Sequence, residues 1–228
     1  MAPGPVPGDA SAADETLALA DWRRRIADLY ADVRRIAATD PAAALALWRD
    51  TRERLYREHA QSPVPPAERA AFRARHFDHD QGLRFEVAVE PDETATDPHD
   101  EAPPPSGGLA LPMSVGGTMS FRRIGHVTLR IGATERRLGL FWMAGYAGGL
   151  FLPFRDATNG RETYGAGRYL LDAAKAADLG AGTAPGSLVL DFNFAFQPSC
   201  AFDPQWACPL APPENRLDFE VRAGERIA

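Results

Sequence analysis

The sequence predicts an α+β protein in which N-terminal helices pack on a mostly antiparallel β barrel or sandwich. Three observations carry that expectation. Between Leu19 and Ile36 apolar residues recur at steps of three and four, the period of one helix face. From Leu83 onward the chain changes to short runs of apolar residues, several alternating with polar ones, the period of a half-buried strand. Those runs follow one another without helices of crossover length, as antiparallel neighbours allow and parallel ones do not.

Taken in order, residues 1–14 are rich in Pro, Gly, Ala and Asp and are expected to form a disordered tail, because they offer too little apolar surface to offset ordering entropy. A helical region over 15–75 follows. Leu19, Trp22, Ile26, Leu29, Val33 and Ile36 form the stripe of its first helix. Asp40-Pro41 reads as an N-cap followed by proline in the first helical position, opening a second helix through Trp48 and Tyr56 to about His59. Gln61 to Pro66 (QSPVPP) breaks it, and a short third helix is expected over Ala67 to Arg73.

Residues 76–228 form the β-rich domain. Its first strand is LRFEVAVE from Leu83. The acidic, proline-rich residues 91–108 read as a flexible loop inside the sheet, since strands resume beyond it. Further strands are expected at LALPMSV, TMSFRRI, HVTLRIGA, ERRLGLFWMA, GLFLPFRD, GRYLLD, SLVLDFNFAF and RLDFEVRA. Ala133-Thr134 marks a tight connection between the third and fourth strands after that loop.

A chain of 228 residues can bury a full core without disulfides or a structural metal. Its 31 acidic against 25 basic residues leave a net charge of −6, which argues against a phosphate-backbone binder, so nucleic acid is not an expected partner. Lys175 is the only lysine, and the arginine excess reads as coding bias first and guanidinium chemistry second. No apolar run approaches a membrane span, and MAPGPVPGDASAADET lacks the features of a signal peptide. The expectation is a soluble, cytoplasmic protein with no membrane partner, and the sequence assigns no oligomeric state.

No motif with a known reaction attached is present. His76 to Asp80 (HFDHD) resembles a ligand cluster, but with five histidines in the chain it lacks the further ligands a zinc site needs, so no metal is expected. Gly165-Ala-Gly167 lacks the third glycine and the strand-to-helix context of a dinucleotide fingerprint, so no cofactor is expected. Seven residues separate Cys200 from Cys208, a spacing of neither zinc ribbons nor redox dithiols. A disulfide, two buried thiols or half a metal site all remain open, and a reducing compartment favours the thiols.

Candidate binding residues crowd the last third of the chain: Arg155, Asp156, Glu162, Tyr164, Arg168, Tyr169, Asp191, Asn193, Glu214 and Asn215. Arg168 lies on a strand and need not face solvent, and a buried arginine needs a carboxylate partner, for which Asp156, Glu162, Asp191 and Glu214 are candidates. Asp191 and Asn193 would share one face of a central strand. The leading expectation is a pocket in a β barrel for a small, anionic molecule. An enzyme, hydrolase or isomerase, with Asp156, Glu162 or Asp191 as general base and Arg168 as anion clamp is the second. A structural or interaction module, in which the charges only lock loops, is the third.

These residues carry a resemblance. Thr163-Tyr164-Gly165-x-Gly167-Arg168-Tyr169, Asp191-x-Asn193, Pro198-x-Cys200, Cys208-Pro209 and Pro213-Glu214-Asn215-x-Leu217 resemble the recurrent pattern of DUF1684, a bacterial and archaeal domain of unknown function. The resemblance implies no reaction, ligand or pathway. The family's usual Ala-Tyr-Asn-Pro and Cys-Ala-Tyr become Ala195-Phe196-Gln197-Pro198 and Cys200-Ala201-Phe202, losing two phenolic hydroxyls. Members with export signals would favour a Cys200–Cys208 disulfide, and this N-terminus shows no such signal.

Overall fold

A computed structural model describes residues 11–92, 108–132, 134–145 and 148–227. Two helices, α1 (Ala12–Ala37) and α2 (Pro41–Glu58), precede nine strands. The strands are β1 (Arg75–His76), β2 (Arg84–Pro91), β3 (Gly108–Pro112), β4 (Thr118–Ile131), β5 (Thr134–Met143), β6 (Leu150–Phe154), β7 (Arg168–Asp172), β8 (Ser187–Asp191) and β9 (Glu225–Arg226). Seven of them form a curled antiparallel half-barrel in the order β7-β6-β5-β4-β2-β8, with β3 beside β4. β1 and β9 pair as a separate two-stranded ribbon.

Helix α1 begins inside the expected tail. The Ser11 hydroxyl accepts the Asp14 N–H while the Asp14 carboxylate accepts the Ser11 N–H, a capping box that satisfies two donors at once. The rest of that tail, residues 1–10, lies outside the described residues. At α2 the Asp40 carboxylate caps Ala43 N–H at 2.9 Å, with Pro41 in the first turn. Ile26, Leu29, Tyr30 and Val33 of α1 and Leu45, Trp48 and Leu55 of α2 are buried in one cluster with Phe121, Phe141, Phe151 and Tyr169 of the sheet. Leu138, Leu140, Leu152, Phe154 and Phe192 lie in the second cluster, so the sheet is apolar on both faces. Each large side chain removed from water there contributes about 1.5–3 kcal/mol.

Several elements differ from the sequence reading. The third helix does not form. After Pro65-Pro66 the chain makes turns closed by i→i−3 bonds, Glu68 to Pro65, Ala71 to Glu68 and Phe72 to Arg69. The Arg69 guanidinium folds back onto the carbonyls of Ala60, Ser62 and Val64, locking that path. TMSFRRI and HVTLRIGA are one strand, β4, with a register shift between Arg123 and Gly125. A Cβ at Gly125 would stand 2.3 Å from the Glu90 carbonyl, so only glycine lets β2 approach there.

One edge of β4 is shared end to end, by β3 against Thr118–Arg122 and by β2 against Gly125–Val127. Residues 93–107, most of the expected acidic loop, lie outside the described residues, and its ends, Pro91 and Gly108, belong to β2 and β3. Ala133 also lies outside them, while Gly132 beside it takes φ +61° and Ile131 pairs with Thr134.

SLVLDFNFAF stops being a strand at Asp191. The Asp191 carboxylate accepts the Asn193 N–H and turns Phe192–Phe194 into a 3₁₀ helix, so Asp191 and Asn193 do not alternate with the phenylalanines on a strand. RLDFEVRA is not a strand either. After the isolated Arg155–Arg216 bridge it bends at Asp218–Phe219, the Phe219 carbonyl accepts the Ala157 N–H, and the Val221 and Ala223 carbonyls turn to an arginine side chain.

Candidate functional site

That arginine is Arg168, the first residue of β7, with a fully buried side chain. Its Nη2 donates to Asp156 Oδ2 at 2.7 Å and to the Val221 carbonyl at 2.8 Å. Its Nη1 donates to the carbonyls of Ala223 and Glu225. Burial lowers its pKa, and the Asp156 carboxylate opposes that. Asp156 also accepts from the N–H and hydroxyl of Thr158. The pair is sealed, with both side chains at 0% exposure, so Arg168 reaches no cavity and acts as a clamp on residues 221–225.

The other expected site residues are spread over the molecule. Arg155 donates to the Gly165 carbonyl, and Glu162 pairs with Arg222 on the surface. The Tyr169 hydroxyl donates to the Pro209 carbonyl at 2.6 Å, and burial raises its pKa well above the ordinary value. Asn193 accepts from Asp80 N–H and donates to the Asp80 carbonyl and to Asp191 Oδ1. Burial raises the pKa of Asp191, against those hydrogen bonds. Asn215 is fully buried and holds the Gly139 N–H, the Gly139 carbonyl and the Pro153 carbonyl, tying β5 to β6. Glu214 faces Arg123 at 2.9 Å, on a patch shared with Asp92 and His126. Tyr164 is half-buried beside Cys200. Arg168 is brought to Asp156, and Asp191 to Asn193, while Tyr164 lies beside Cys200 and Glu214 beside Arg123.

A cavity of about 650 Å³ opens elsewhere, between the end of α2, the turns after Pro65, the 197–202 segment and the β1/β9 ribbon. Its apolar wall is built on Tyr56, Phe72 and Phe202, whose rings meet edge to face in all three pairings at 5.0–5.8 Å. Val64, Pro65, Ala201 and Ile227 extend it.

Beneath lies a second buried ion pair. Arg52 Nε donates to Glu225 Oε1 at 2.7 Å, and both side chains are 4% exposed. Glu225 Oε2 accepts the Gln197 N–H at 2.8 Å, and the Arg52 guanidinium also meets the Tyr56 hydroxyl and the faces of Trp48, Tyr56 and Phe196. Removing either partner of such a buried pair would leave an uncompensated charge in the floor. Gln197 itself lines the cavity, and its Nε2 is buried without a hydrogen-bond partner.

The rim is cationic. Arg73, Arg75 and Arg226 line it, and among the described residues no carboxylate lies in ion-pair range of any of them. Arg75 and Arg226 stand directly opposite each other on the antiparallel ribbon, an arrangement that costs stability unless an anion compensates. Among the described residues, Glu68 is the only carboxylate lining the cavity besides Glu225.

None of these lining residues except Gln197, Ala201, Phe202, Glu225, Arg226 and Ile227 comes from the last third of the chain, where the candidate residues crowd. The available signal was weak: arginines at Arg73, Arg75 and Arg226, far apart in sequence, become neighbours only through β1/β9 pairing. HFDHD provides structure instead. His76 packs edge-on against Trp48, and Asp80 caps Gly82 N–H. Among the described residues no three His, Cys, Asp or Glu side chains are placed to hold a metal ion, and no helix is long and apolar enough to cross a membrane.

The model of the family described as "Protein of unknown function (DUF1684)" matches residues 72–226. The chain belongs to the DUF1684 family. The match takes in the whole half-barrel and the β1/β9 ribbon, while α1, α2 and the cavity wall at Val64 and Pro65 precede it. The solution NMR structure of an uncharacterized protein from Haloarcula marismortui is similar, at 32% identity and a TM-score of 0.56, over 81% of this chain and 93% of that one. No curated protein matches the chain in sequence.

Proposed function

We propose that this DUF1684 protein binds a small amphipathic anion, its apolar part against Tyr56, Phe72 and Phe202 and its charged end at Arg75 and Arg226. The observation that carries the reading is the about 650 Å³ cavity with aromatic walls and a rim of arginines that, among the described residues, have no carboxylate partner. The volume lies in the range of small-molecule sites, which combine apolar walls with few polar groups. An anion at the rim relieves the Arg75–Arg226 repulsion, and guanidinium groups suit carboxylate or phosphate oxygens because they present two parallel donors. Asp156, Glu162 and Asp191 are bonded within the scaffold, and in this reading they remain structural groups.

Calorimetric titration with decanoate and with decanol, on the wild type and on an Arg75→Gln/Arg226→Gln variant, tests the proposal. Decanoate is expected to bind with a negative heat-capacity change and to lose about tenfold or more in affinity in the variant, the worth of one charge-assisted hydrogen bond. Equal binding of decanol, or of decanoate to the variant, would remove the arginines from the site.

A further inference from the structure

The two cysteines of the chain meet in the fold. Cys200 sits in the 3₁₀ turn Ser199–Ala201 and Cys208 in the loop that follows, and their side chains are 6% and 4% exposed. The Cys200 N–H donates to Cys208 Sγ at 3.3 Å, which brings residue 200 against the Cys208 sulfur. A clasp fixes Cys208 in place. Its N–H donates to Ser114 Oγ at 3.0 Å, and the Ser114 N–H donates to the Cys208 carbonyl at 2.9 Å. Tyr164 is half-buried, and burial together with the neighbouring Cys200 thiol raises its pKa. Tyr169 and Lys175 are the other titratable groups acting on Cys208.

We propose that Cys200 and Cys208 form a reversible thiol–disulfide site oxidised by hydroperoxides, with Cys200 as the attacking sulfur and Cys208 as the resolving one. The Cys200 thiolate attacks one oxygen of ROOH. The S–O bond forms, the O–O bond breaks, and the alkoxide takes a proton and leaves as ROH, so Cys200 becomes a sulfenic acid. The Cys208 sulfur then attacks the Cys200 sulfur, forming S–S as S–O breaks. Hydroxide leaves with the Cys208 proton as water. The two sulfurs together lose two electrons and the peroxide gains two.

Cys208 is clasped through its backbone by Ser114, which keeps its sulfur against the amide of residue 200. In support, hydrogen bonding from Cys208 holds the Cys200 thiol below its ordinary pKa, while Cys208 is pushed up. One proton shared between two sulfurs makes the first ionisation easy and the second hard.

The test uses the full chain, reduced and desalted, exposed to a small excess of hydrogen peroxide at neutral pH, then quenched with N-ethylmaleimide and weighed intact. Because the chain contains no other cysteine, both labels should vanish together, the mass should fall by two hydrogens, and dithiothreitol should restore both labels. Cys208→Ser should yield a dimedone adduct at Cys200, and Cys200→Ser should consume peroxide about tenfold more slowly. Folded wild type that keeps both labels while the urea-unfolded chain loses them overturns the proposal, as does oxidation to sulfinic acid or to intermolecular dimers. The wild-type readings decide the matter even if a serine variant does not fold.

Discussion

Replacing Arg168 by methionine removes a buried cation and keeps most of its volume. Left behind are an Asp156 carboxylate without its ionic partner and three carbonyls, of Val221, Ala223 and Glu225, without their donor. Breaking one side of a buried pair costs about 3–5 kcal/mol, and the unsatisfied carbonyls place this case at the upper end. That is about a third of the total stability of an ordinary domain. In urea, with a slope of about 2.5 kcal/mol/M, the midpoint should fall by about 1.5–2 M. Circular dichroism and intrinsic fluorescence report the transition.

A double-mutant cycle adds a second reading. Asp156→Asn should cost less in the Arg168→Met background than in the wild type, because the uncompensated charge is already gone, with a coupling of about 1–3 kcal/mol. Folded Arg168→Met should still bind decanoate as the wild type does. A midpoint shift below about 0.4 M, additive single effects, or a selective loss of binding would refute the clamp role and return Arg168 to the ligand.

Three further outcomes follow from the geometry. Burial lowers the pKa of His76 to about 4; the unfolded chain takes up that proton first, near pH 6.5, so stability is full above pH 6.5 and falls toward pH 4 by up to about 3 kcal/mol. Denaturation across that window should show the slope, and His76→Gln should flatten it. Asn215→Ala strands the Gly139 N–H and the carbonyls of Gly139 and Pro153, at about 1–3 kcal/mol for each group left dry; Asn215→Asp should also fail, having lost both donors, and thermal melts rank the two. Gly224 takes φ +77°, and a Cβ there would stand 2.4 Å from the Ala195 carbonyl, so Gly224→Ala should destabilise by about 1–3 kcal/mol in urea titration.

The two helices were legible because their signals are local: the stripe through Ile26, Leu29 and Val33, and the Asp40-Pro41 cap. The half-barrel was legible as alternation, with limits set by tertiary contacts. Gly125 looks like a break in the sequence, yet it is the place where β4 lets β2 come close. The run 216–223 alternates like a strand, but the carbonyls of Val221 and Ala223 serve Arg168 rather than a neighbour strand.

The need of Arg168 for a carboxylate followed from desolvation alone; that the carboxylate is Asp156 required the fold. The cavity was hidden for a different reason. Tyr56, Phe72, Arg75, Gln197 and Arg226 come from segments separated by up to most of the chain, and only β1/β9 pairing gathers them. Within the polar segment, Arg168 and Asn215 tie strands and loops together through buried hydrogen bonds.

The central claim is that the cavity between α2 and the β1/β9 ribbon takes an amphipathic anion. Titrating decanoate into the ¹⁵N-labelled protein and following backbone amide shifts tests it directly. Shifts concentrated at Phe72, Arg75, Ala201, Phe202 and Ile227, saturating together and weakened in the Arg75→Gln/Arg226→Gln variant, are the predicted result. Shifts absent from those residues, or centred instead on Tyr164, Asp191 or Glu214, would contradict the account.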